Sequence, residues 1–471
     1  MTVTCPVLRP YQDAAIQGLR DAFAAGYHSP LLVLPTGGGK TVTFSFMASR
    51  LAANGKRLAI LVHRDELVDQ VSETLARFDV PHGYIAAGRL YDKRHRVHVA
   101  SVQTLARRMD RVAVPDYVIC DEAHHCIGAS TWGKVVAEWR AVNPALRLIG
   151  VTATPERLSG EGLGEVFDEM VLGPSTRELI DLGALAEYRL FAPSQQLDLS
   201  GVKSRMGDFI RGEVAAKVDK PAIIGSAVGE YRAKLNGAPA VAFCVSVEHA
   251  EHVAEQFRAQ GFRAAKLDGN MERSVRRELV RDFGRGVVQV LTSVDVVSEG
   301  FDVPGIVGAI LLRPTQSLGL YLQQVGRALR TAPGKEAAIL LDHVGNSQRH
   351  GLPDDPREWS LLGLEKKGRG AKDHDDVAIR QCPTCFAISP AAAAKCRECG
   401  AAFPLKPRTI EEVAGTLSEV EVMRAKREAK KEQAAAQTLE DLIRLGAARG
   451  FRNPAGWARH IFEARRAKGR V

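Results

Sequence analysis

A glycine-rich segment that ends in Gly-Lys-Thr directly follows the apolar run 31–34. Backbone N–H groups of such a turn converge on phosphate oxygens, and the start of a following helix adds favourable partial charge. We expect Lys40 to reach the β- and γ-phosphates of a nucleotide and the Thr41 hydroxyl to bind Mg²⁺. The general phosphate-loop pattern has glycine where this chain has Leu34. The residues of the predicted loop are Pro35, Thr36, Gly37, Gly38, Gly39, Lys40 and Thr41.

A second apolar run, 117–120, ends in Asp-Glu-Ala-His-His. An acid at the carboxyl end of a strand can hold Mg²⁺ beside the phosphates, and a second acid can orient the attacking water. We therefore predict that Asp121 binds the metal and that Glu122 is the general base. An alternative is a transition-metal site built from His124, His125 and Cys126, but neighbouring residues on a strand or turn point in different directions.

A third group of polar residues lies on a predicted helix over 316–329. Gln323, Arg327 and Arg330 are spaced i, i+4 and i+7, which would place all three on one helix face. Such a face can bring two guanidiniums to the γ-phosphate from a second domain. Arginine fingers of this kind contribute about 10³–10⁵ in rate.

These motifs together resemble those of superfamily 2 helicases of the DEAD/DEAH-box type, and further motifs follow in the expected order over about residues 8–345. Arg-Pro-Tyr-Gln at 9–12 resembles the adenine-reading motif, which implies a base contact by Gln12. The segment 298–304 resembles the fifth motif, which implies nucleotide contacts by Gly300 and Asp302. The resemblance assigns nucleic-acid contact or coupling to His63, Arg64, Ser101, Gln103, Thr104, Thr152, Thr154 and Thr292.

The elements that must position these residues alternate as short apolar runs and helical patterns, which is typical of parallel α/β sheets. Strands are predicted at 31–34, 57–62, 97–101, 117–120, 146–151, 240–245, 263–267, 287–292, 306–312 and 337–342. Helices are predicted to start near 40, 64 and 103 and to cover 247–260, 271–284 and 316–329. With the resemblance, the fold class is α/β, with two tandem RecA-like parallel-sheet domains followed by a small zinc ribbon and a helical tail.

The predicted domain organisation has five parts. They are an ATP-binding RecA-like domain (1–190), a helicase C-terminal RecA-like domain (191–364), a linker (365–378), a Cys₄ zinc ribbon (379–405) and a basic helical tail (406–471).

Two Cys-x-x-Cys pairs form the predicted ribbon. Each pair can present two thiolates to one tetrahedral zinc ion. A redox pair would need only one Cys-x-x-Cys, whereas an Fe–S cluster also accepts four thiolates and is the stronger alternative. The predicted ligands are Cys382, Cys385, Cys396 and Cys399.

Composition limits the class of protein. Apolar residues make up 45% and charged residues 25% of the 471 residues, which excludes a largely disordered or collagen-like chain. We expect no signal peptide, no membrane span and a cytoplasmic location. The net charge is +9, from 64 Lys/Arg and 55 Asp/Glu. Residues 377–471 hold 18 of the Lys/Arg and 10 of the Asp/Glu residues. The remainder of the chain is therefore nearly neutral, and the C-terminal region carries the general attraction to a polyanion.

With the ribbon included, the chain is similar to the bacterial RadD-like helicases, and a related prophage helicase is equally compatible. This resemblance implies ATP, Mg²⁺ and Zn²⁺ as ligands, DNA as the partner in repair or recombination, and a single-strand-binding or recombination protein as a second partner. An RNA helicase, or an ATP-switched module that recruits a partner through ribbon and tail, remains an alternative. Deletion of 377–471 is expected to weaken nucleic-acid binding and to leave a foldable ATPase core.

Overall fold

The computed structural model of the protein describes most of the chain. The described residues are 7–63, 65–156, 162–192, 197–205, 207–294, 305–363, 379–382, 384–385, 387–390, 393–403, 436, 438–449 and 454–466. The predicted linker and most of the predicted tail lie outside them. The part up to Phe403 forms one compact unit and the part from Pro404 a second.

Within the described residues, seven strands form the first sheet. They are β1 (Pro30–Val33), β2 (Leu58–Val62), β3 (His82–Ile85), β4 (Val97–Ser101), β5 (Tyr117–Asp121), β6 (Arg147–Thr152) and β7 (Glu169–Leu172). All pairs are parallel, in the order β3-β4-β2-β5-β6-β1-β7. The helices of this first lobe (residues 7–172) are α1 (Pro10–Ala24), α2 (Lys40–Ala53), α3 (Asp65–Arg77), α4 (Val102–Ala106) and α5 (Thr131–Val142).

A six-stranded parallel sheet forms the centre of the second lobe (residues 175–352). Its strands are β8 (Glu187–Phe191), β11 (Ala240–Phe243), β12 (Ala264–Leu267), β13 (Val290–Ser293), β14 (Gly308–Leu311) and β15 (Ala337–Asp342), and a short hairpin adds β9 (Ser204–Arg205) and β10 (Asp208–Phe209). The order in the sheet is β12-β13-β11-β14-β15-β8. The helices are α6 (Thr176–Asp181), α7 (Arg211–Val218), α8 (Pro221–Lys234), α9 (Val247–Ala259), α10 (Arg273–Gly284), α11 (Leu318–Ala328) and α12 (Asn346–His350).

Both sheets are buried on two faces. Successive residues of a strand point to opposite faces, and Leu31 and Leu32 pack in different hydrophobic clusters. The same alternation separates Val241 from Ala242 in the second lobe. Two parallel sheets covered by helices on both sides confirm the predicted α/β class with tandem RecA-like lobes.

The chain enters the second lobe before residue 190. Strand β8 lies across the predicted boundary at 190/191 and pairs with β15 of the second sheet. Leu179 and Ile180 of α6 already pack in the second lobe's core. After α12 the chain returns to the first lobe, where Leu361 accepts a hydrogen bond from the N–H of Gly164 at 2.8 Å.

The cysteine module is joined to the second lobe. Its strands β16 (Ile379–Gln381) and β17 (Ile388–Pro390) form an antiparallel pair, and Ala387 bridges to Phe191 at the end of the sheet's edge strand. Cys382 and Phe403 share a buried cluster with Phe191. Truncation at residue 377 would uncover this cluster, and the expectation that such a truncation leaves a foldable ATPase core stays a prediction. A truncation after Phe403 keeps the cluster covered.

The second unit contains two described helices, α13 (Leu439–Ala448) and α14 (Pro454–Arg466), which pack against each other. Thr438 caps α13 by accepting a hydrogen bond from the N–H of Asp441 at 3.1 Å. Helix α14 starts at Pro454, and proline is favoured at the first position of a helix. In the described parts of the chain, no helix is both long enough and apolar enough to span a membrane.

Candidate nucleotide site between the two lobes

The predicted phosphate loop connects β1 to α2. Gly37 and Gly39 have φ of 87° and 85°, in the left-handed region that favours glycine, and Gly39 is the residue before the first helical residue, Lys40. The N–H of Gly38 donates to the carbonyl of Pro35 at 2.9 Å. The loop thus turns tightly between a buried strand and a helix start, as a phosphate cradle requires.

Lys40, Asp121 and Glu122 meet beneath this loop. The two carboxylates are 7% and 6% exposed. Burial, followed by the neighbouring charge of Glu122, raises the pKa of Asp121 to about 7. Burial also lowers the pKa of Lys40, against the opposing effect of both carboxylates. Buried carboxylates and the Thr41 hydroxyl are hard oxygen donors of the kind Mg²⁺ prefers, and a divalent cation relieves their repulsion, so these residues fit that ion.

Glu122 is linked by polar contacts to the end of β6. Its backbone has φ of 51°, a left-handed conformation that is rare outside glycine. His124 Nδ1 lies 3.5 Å from Glu122 Oε2 and 3.3 Å from Thr152 Oγ1. The Thr152 hydroxyl in turn donates to the carbonyl of Thr154 at 2.8 Å. This chain of contacts connects the predicted general base with Thr152 and Thr154, which belong to the segment 152–155 that is predicted to couple ATP turnover to strand movement (the coupling motif).

The second lobe contributes α11 to the same site. Gln323 and Arg327 are 4% and 5% exposed. Arg327 and Arg330 line a cavity of about 290 Å³ together with Lys40, Asp121 and Glu122. The structure therefore brings Lys40, Asp121 and Glu122 together with Arg327 and Arg330, whereas Gln323 is not among the residues that line this cavity. It also corrects one detail. Helix α11 ends at Ala328, so Arg330 lies beyond the helix and not on its i+7 position.

Two glycines allow α11 to approach the first lobe. A Cβ atom on Gly326 would lie 2.6 Å from Thr36 Cβ, and one on Gly319 would lie 3.0 Å from Thr154 Oγ1. The two positions are seven residues apart and so lie on one helix face. The helix that carries Arg327 thus touches both the phosphate loop and the coupling motif.

Helix α1 is tied to the phosphate loop at its start. Tyr11 Oη donates to the carbonyl of Gly38 at 3.1 Å, and Gln12 Nε2 donates to that of Gly39 at 3.4 Å. Gln12 Oε1 also accepts from the N–H of Arg9 at 2.9 Å. Gln12 is therefore placed beside the loop, and its contact with adenine stays a prediction.

The residues predicted to contact nucleic acid lie in different environments. His63 follows β2, Gln103 is exposed at the start of α4, and Thr104 lies beside it. Ser101 is buried and its hydroxyl donates to Gln103 Oε1 at 3.2 Å. Thr292 is fully buried and donates to the carbonyl of Ala250 at 2.8 Å, so it holds β13 to α9 and does not reach a surface. Arg64, Gly300 and Asp302 lie outside the described residues.

The four predicted zinc ligands converge. Their sulfur atoms all lie within 4.8 Å of one another. The Sγ atoms of Cys382 and Cys399 are 3.6 Å apart, and those of Cys385 and Cys396 are 3.5 Å apart. Tetrahedral zinc with Zn–S bonds of about 2.3 Å requires sulfurs separated by roughly 3.8 Å, so the donor set fits one such ion.

This is the one group of three or more converging metal-ligand side chains among the described residues. The alternative metal site at 124–126 therefore receives no support.

Sequence reasoning missed two contributors to the site. Tyr11 was passed over although it lies in the same motif as Gln12. Gly319 could have been found from its spacing of seven residues before Gly326, which indicates a second close approach on the same helix face.

Comparison with known families gives two matches. The model for the res subunit of type III restriction enzymes (ResIII) matches residues 6–157, and the helicase conserved C-terminal domain (Helicase_C) matches residues 220–332. Together they cover more than half of the chain and contain the residues of the two halves of the cavity.

Similar proteins share this organisation. A 51.5 kDa protein of a Lactococcus phage is 34% identical over 378 residues, which cover 79% of this chain and 78% of the phage protein. The putative ATP-dependent helicase IRC3 of Saccharomyces cerevisiae is 30% identical over 362 residues, 73% of this chain and 52% of the yeast protein. This chain therefore matches about half the length of that helicase.

Among solved structures, a fragment of a putative HsdR subunit of a type I restriction enzyme from Vibrio vulnificus has the same fold. Its TM-score is 0.59 at 22% identity, over 75% of this chain and 68% of that one. With the two domain models, the interlobe cavity and this fold, the chain belongs to superfamily 2 of the helicases and is an ATP-hydrolysing enzyme that acts on nucleic acid.

Proposed function

We propose that the protein is an ATP-dependent DNA helicase or translocase that hydrolyses ATP between its two lobes and converts lobe closure into movement on DNA. One observation supports this most strongly. Lys40, Asp121 and Glu122 of the first lobe line the same cavity as Arg327 and Arg330 of the second. A site divided in this way is complete only when the lobes are together, which links hydrolysis to relative movement of the lobes.

The residues of the first lobe bind and orient the reactants. Lys40 and the N–H groups at the start of α2 hold the phosphates. Thr41 and Asp121 would hold Mg²⁺, which neutralises charge that develops on the phosphate oxygens. Glu122 orients a water molecule in line with the terminal phosphate and accepts its proton. Its contact with His124 leads towards Thr152 and Thr154, where the state of the site can reach the lobe interface.

The second lobe supplies positive charge at the moment of reaction. Arg327 and Arg330 stabilise the charge that accumulates on the transferred phosphoryl group. Helix α11 contacts the first lobe at Thr36 and Thr154. A change at the occupied phosphate loop can therefore move the same helix that contacts the coupling motif. Release of the products removes the anion that attracts the arginines, and the lobes separate.

DNA is favoured over RNA by the family match. The ResIII model describes a restriction-enzyme subunit, and relatives at 24% identity include the endonuclease subunit of the type I restriction enzyme EcoKI of Escherichia coli. RNA remains the second candidate because a probable ATP-dependent RNA helicase of Dictyostelium discoideum is 25% identical over 354 residues. The setting in repair or recombination, the RadD-like placement and the recruitment of a single-strand-binding or recombination protein rest on the sequence resemblance and stay predictions.

We further propose that the four cysteines hold one zinc ion with a structural role. A single tetrahedral ion matches sulfurs 3.5–3.6 Å apart, whereas the thiolates of an Fe–S cluster bind different iron atoms. Because the ribbon covers Phe191 and the edge of the second sheet, the ion would stabilise the lobe that carries the arginines.

The test is ATP turnover measured with single-stranded DNA, forked DNA and RNA at matched salt, with Lys40→Ala as the control. We expect DNA to stimulate turnover and the control to be inactive with every nucleic acid. Stimulation by RNA alone would exclude the DNA assignment. Turnover that no nucleic acid changes would favour the recruitment module.

A further inference from the structure

The position of Arg330 is not explained by the helix that precedes it. Helix α11 ends at Ala328 and Leu329 is its C-terminal cap, so Arg330 lies in the segment that follows. The backbone of Arg330 forms an isolated antiparallel bridge with Leu185. The carbonyl of Leu329 accepts from the N–H of Ala186 at 2.7 Å. These contacts hold the segment against Leu185 and Ala186. They leave the carbonyl oxygens of Ala328 and Arg330 for another donor.

Lys335 binds those carbonyls. Its Nζ donates to the carbonyl oxygens of Ile306 and Arg330, both at 2.8 Å, and also to that of Ala328. An ammonium has three N–H donors and no acceptor, and here three backbone oxygens receive them. One side chain thus joins the last residue of α11, the arginine beyond it and the residues that precede β14.

The carbonyl oxygens at the end of α11 favour a positively charged partner. The final carbonyls of a helix lack intrahelical partners and carry partial negative charge, which a lysine at the C-terminus neutralises. Burial lowers the pKa of Lys335 to about 8, so at neutral pH the group is still an ammonium. Gly334, with φ of 74°, allows the tight turn that sends the lysine back towards the helix.

The hydrogen bond to Ile306 links Lys335 to a second part of the chain. Ile306 lies two residues after the predicted fifth motif, 298–304. Ile306 itself is 3% exposed and packs in the second lobe's core. Lys335 therefore connects Ile306, which follows this segment in the sequence, to the end of α11.

We propose that Lys335 is a positioning residue for ATP hydrolysis, which holds the segment after α11 so that Arg330 projects into the interlobe cavity beside Arg327. It does not line the cavity with them, and it acts through the backbone of the segment that carries Arg330. The inference rests on the proposed role of the two arginines.

The test substitutes Lys335→Met, which is one atom shorter, keeps an unbranched apolar side chain and removes all three donors. We expect kcat for ATP to fall about 10- to 100-fold, because a displacement of roughly 1 Å in a positioned catalytic group costs about that much. The affinity for ATP should stay within a factor of about 3, since the phosphate loop is unchanged. Lys266→Met is the matched control, because Lys266 lies in the same lobe and pairs with Glu251 at 3.3 Å, away from α11.

A double variant separates positioning from general stability. If Lys335 acts through Arg330, then adding Lys335→Met to Arg330→Ala should cause little further loss of kcat, because residues that act as a unit are not additive. Lys335→Arg, which retains charge and donors, should recover most of the activity. A melting temperature recorded for each variant identifies any that fails to fold. If Lys335→Met fails to fold, Lys335→Gln replaces it; its shorter side chain keeps two amide donors but cannot supply all three, so a smaller loss of kcat is expected.

The outcomes are distinct. Wild-type kcat in the folded Met or Gln variant would overturn the positioning role, as would a loss that is undiminished in the Arg330→Ala background. If Arg330→Ala alone leaves kcat unchanged, the proposed role of that arginine fails instead, and the role of Lys335 fails with it.

Discussion

The close approach of Gly326 to the phosphate loop leads to a specific prediction for Gly326→Ala. The added Cβ would lie 2.6 Å from Thr36 Cβ and 2.8 Å from Thr36 Cγ2. Carbon atoms pack at about 3.5–4.0 Å, so α11 and the loop must separate by about 1 Å. Rotation of the Thr36 side chain does not remove this conflict, because its nearest atom is the Cβ.

The expected loss is about 100-fold in kcat, because a misplacement of about 1 Å in the catalytic arrangement costs roughly that factor, or about 2.7 kcal/mol of activation free energy. The affinity for ATP should change little if the first lobe supplies most of the phosphate contacts. Within a helix, alanine is more favourable than glycine by about 1 kcal/mol, so the variant is expected to fold.

The assay is steady-state ATP turnover in the presence of DNA, with ATP affinity measured in parallel. Gly229→Ala in α8 is the control, since no atom lies within 4 Å of the Cβ it would introduce. Wild-type turnover in Gly326→Ala would show that the lobes need not approach as closely as the structure has them, and it would refute the reasoning.

Four further predictions concern the phosphate loop, the lobe interface, the cysteine module and the C-terminal region. Lys40→Ala should reduce phosphate release to background, because among the described residues Lys40 is the one lysine that lines the cavity; measurable turnover would contradict its assignment. Gly319→Ala should lower kcat less than Gly326→Ala does, since its Cβ would lie 3.0 Å from Thr154 Oγ1, a milder conflict measurable in the same assay. Cys396→Ser should reduce zinc below one ion per chain in elemental analysis. It should also lower the melting temperature by at least about 5 °C, since ~2 kcal/mol shifts a domain of this size by about that much; an unchanged value would exclude a structural ion. Truncation after Phe403 removes 15 Lys/Arg and 9 Asp/Glu, and DNA binding should become weaker and less salt-dependent; an unchanged salt slope would mean that this charge is only solvated.

Much of the sheet architecture could be predicted from the sequence, because buried parallel strands are continuous apolar runs. All five predicted strands of the first lobe agree with the structure within one residue at each end. β3, β7 and β8 were missed. They lie at or near sheet edges and include polar residues such as His82, Glu169 and Arg189, so no apolar run identifies them.

The nucleotide site was also predictable in its residue types, since phosphate chemistry requires glycine, lysine, hydroxyl and carboxylate groups at strand ends. Its details were not predictable. Helical spacing placed Arg330 on α11, whereas the helix ends two residues earlier, and a hydrogen bond from Lys335 and a backbone bridge to Leu185 hold the arginine there. The bridge to Leu185 depends on how distant segments fold together, and local periodicity does not contain it.

The ribbon illustrates the same limit. Cysteine spacing predicts a metal site, but it does not show where the module lies. The packing of Cys382 and Phe403 with Phe191 shows that the module covers part of the second lobe's core.

The central claim, that one ATP site is built from both lobes, is tested most directly by Arg327→Ala. DNA-stimulated kcat and ATP affinity should be measured on the same preparation, with a melting temperature to confirm folding. The account predicts a loss of kcat of about 10³-fold or more, as for an arginine finger, with ATP affinity nearly unchanged. Wild-type turnover in the folded variant would contradict it.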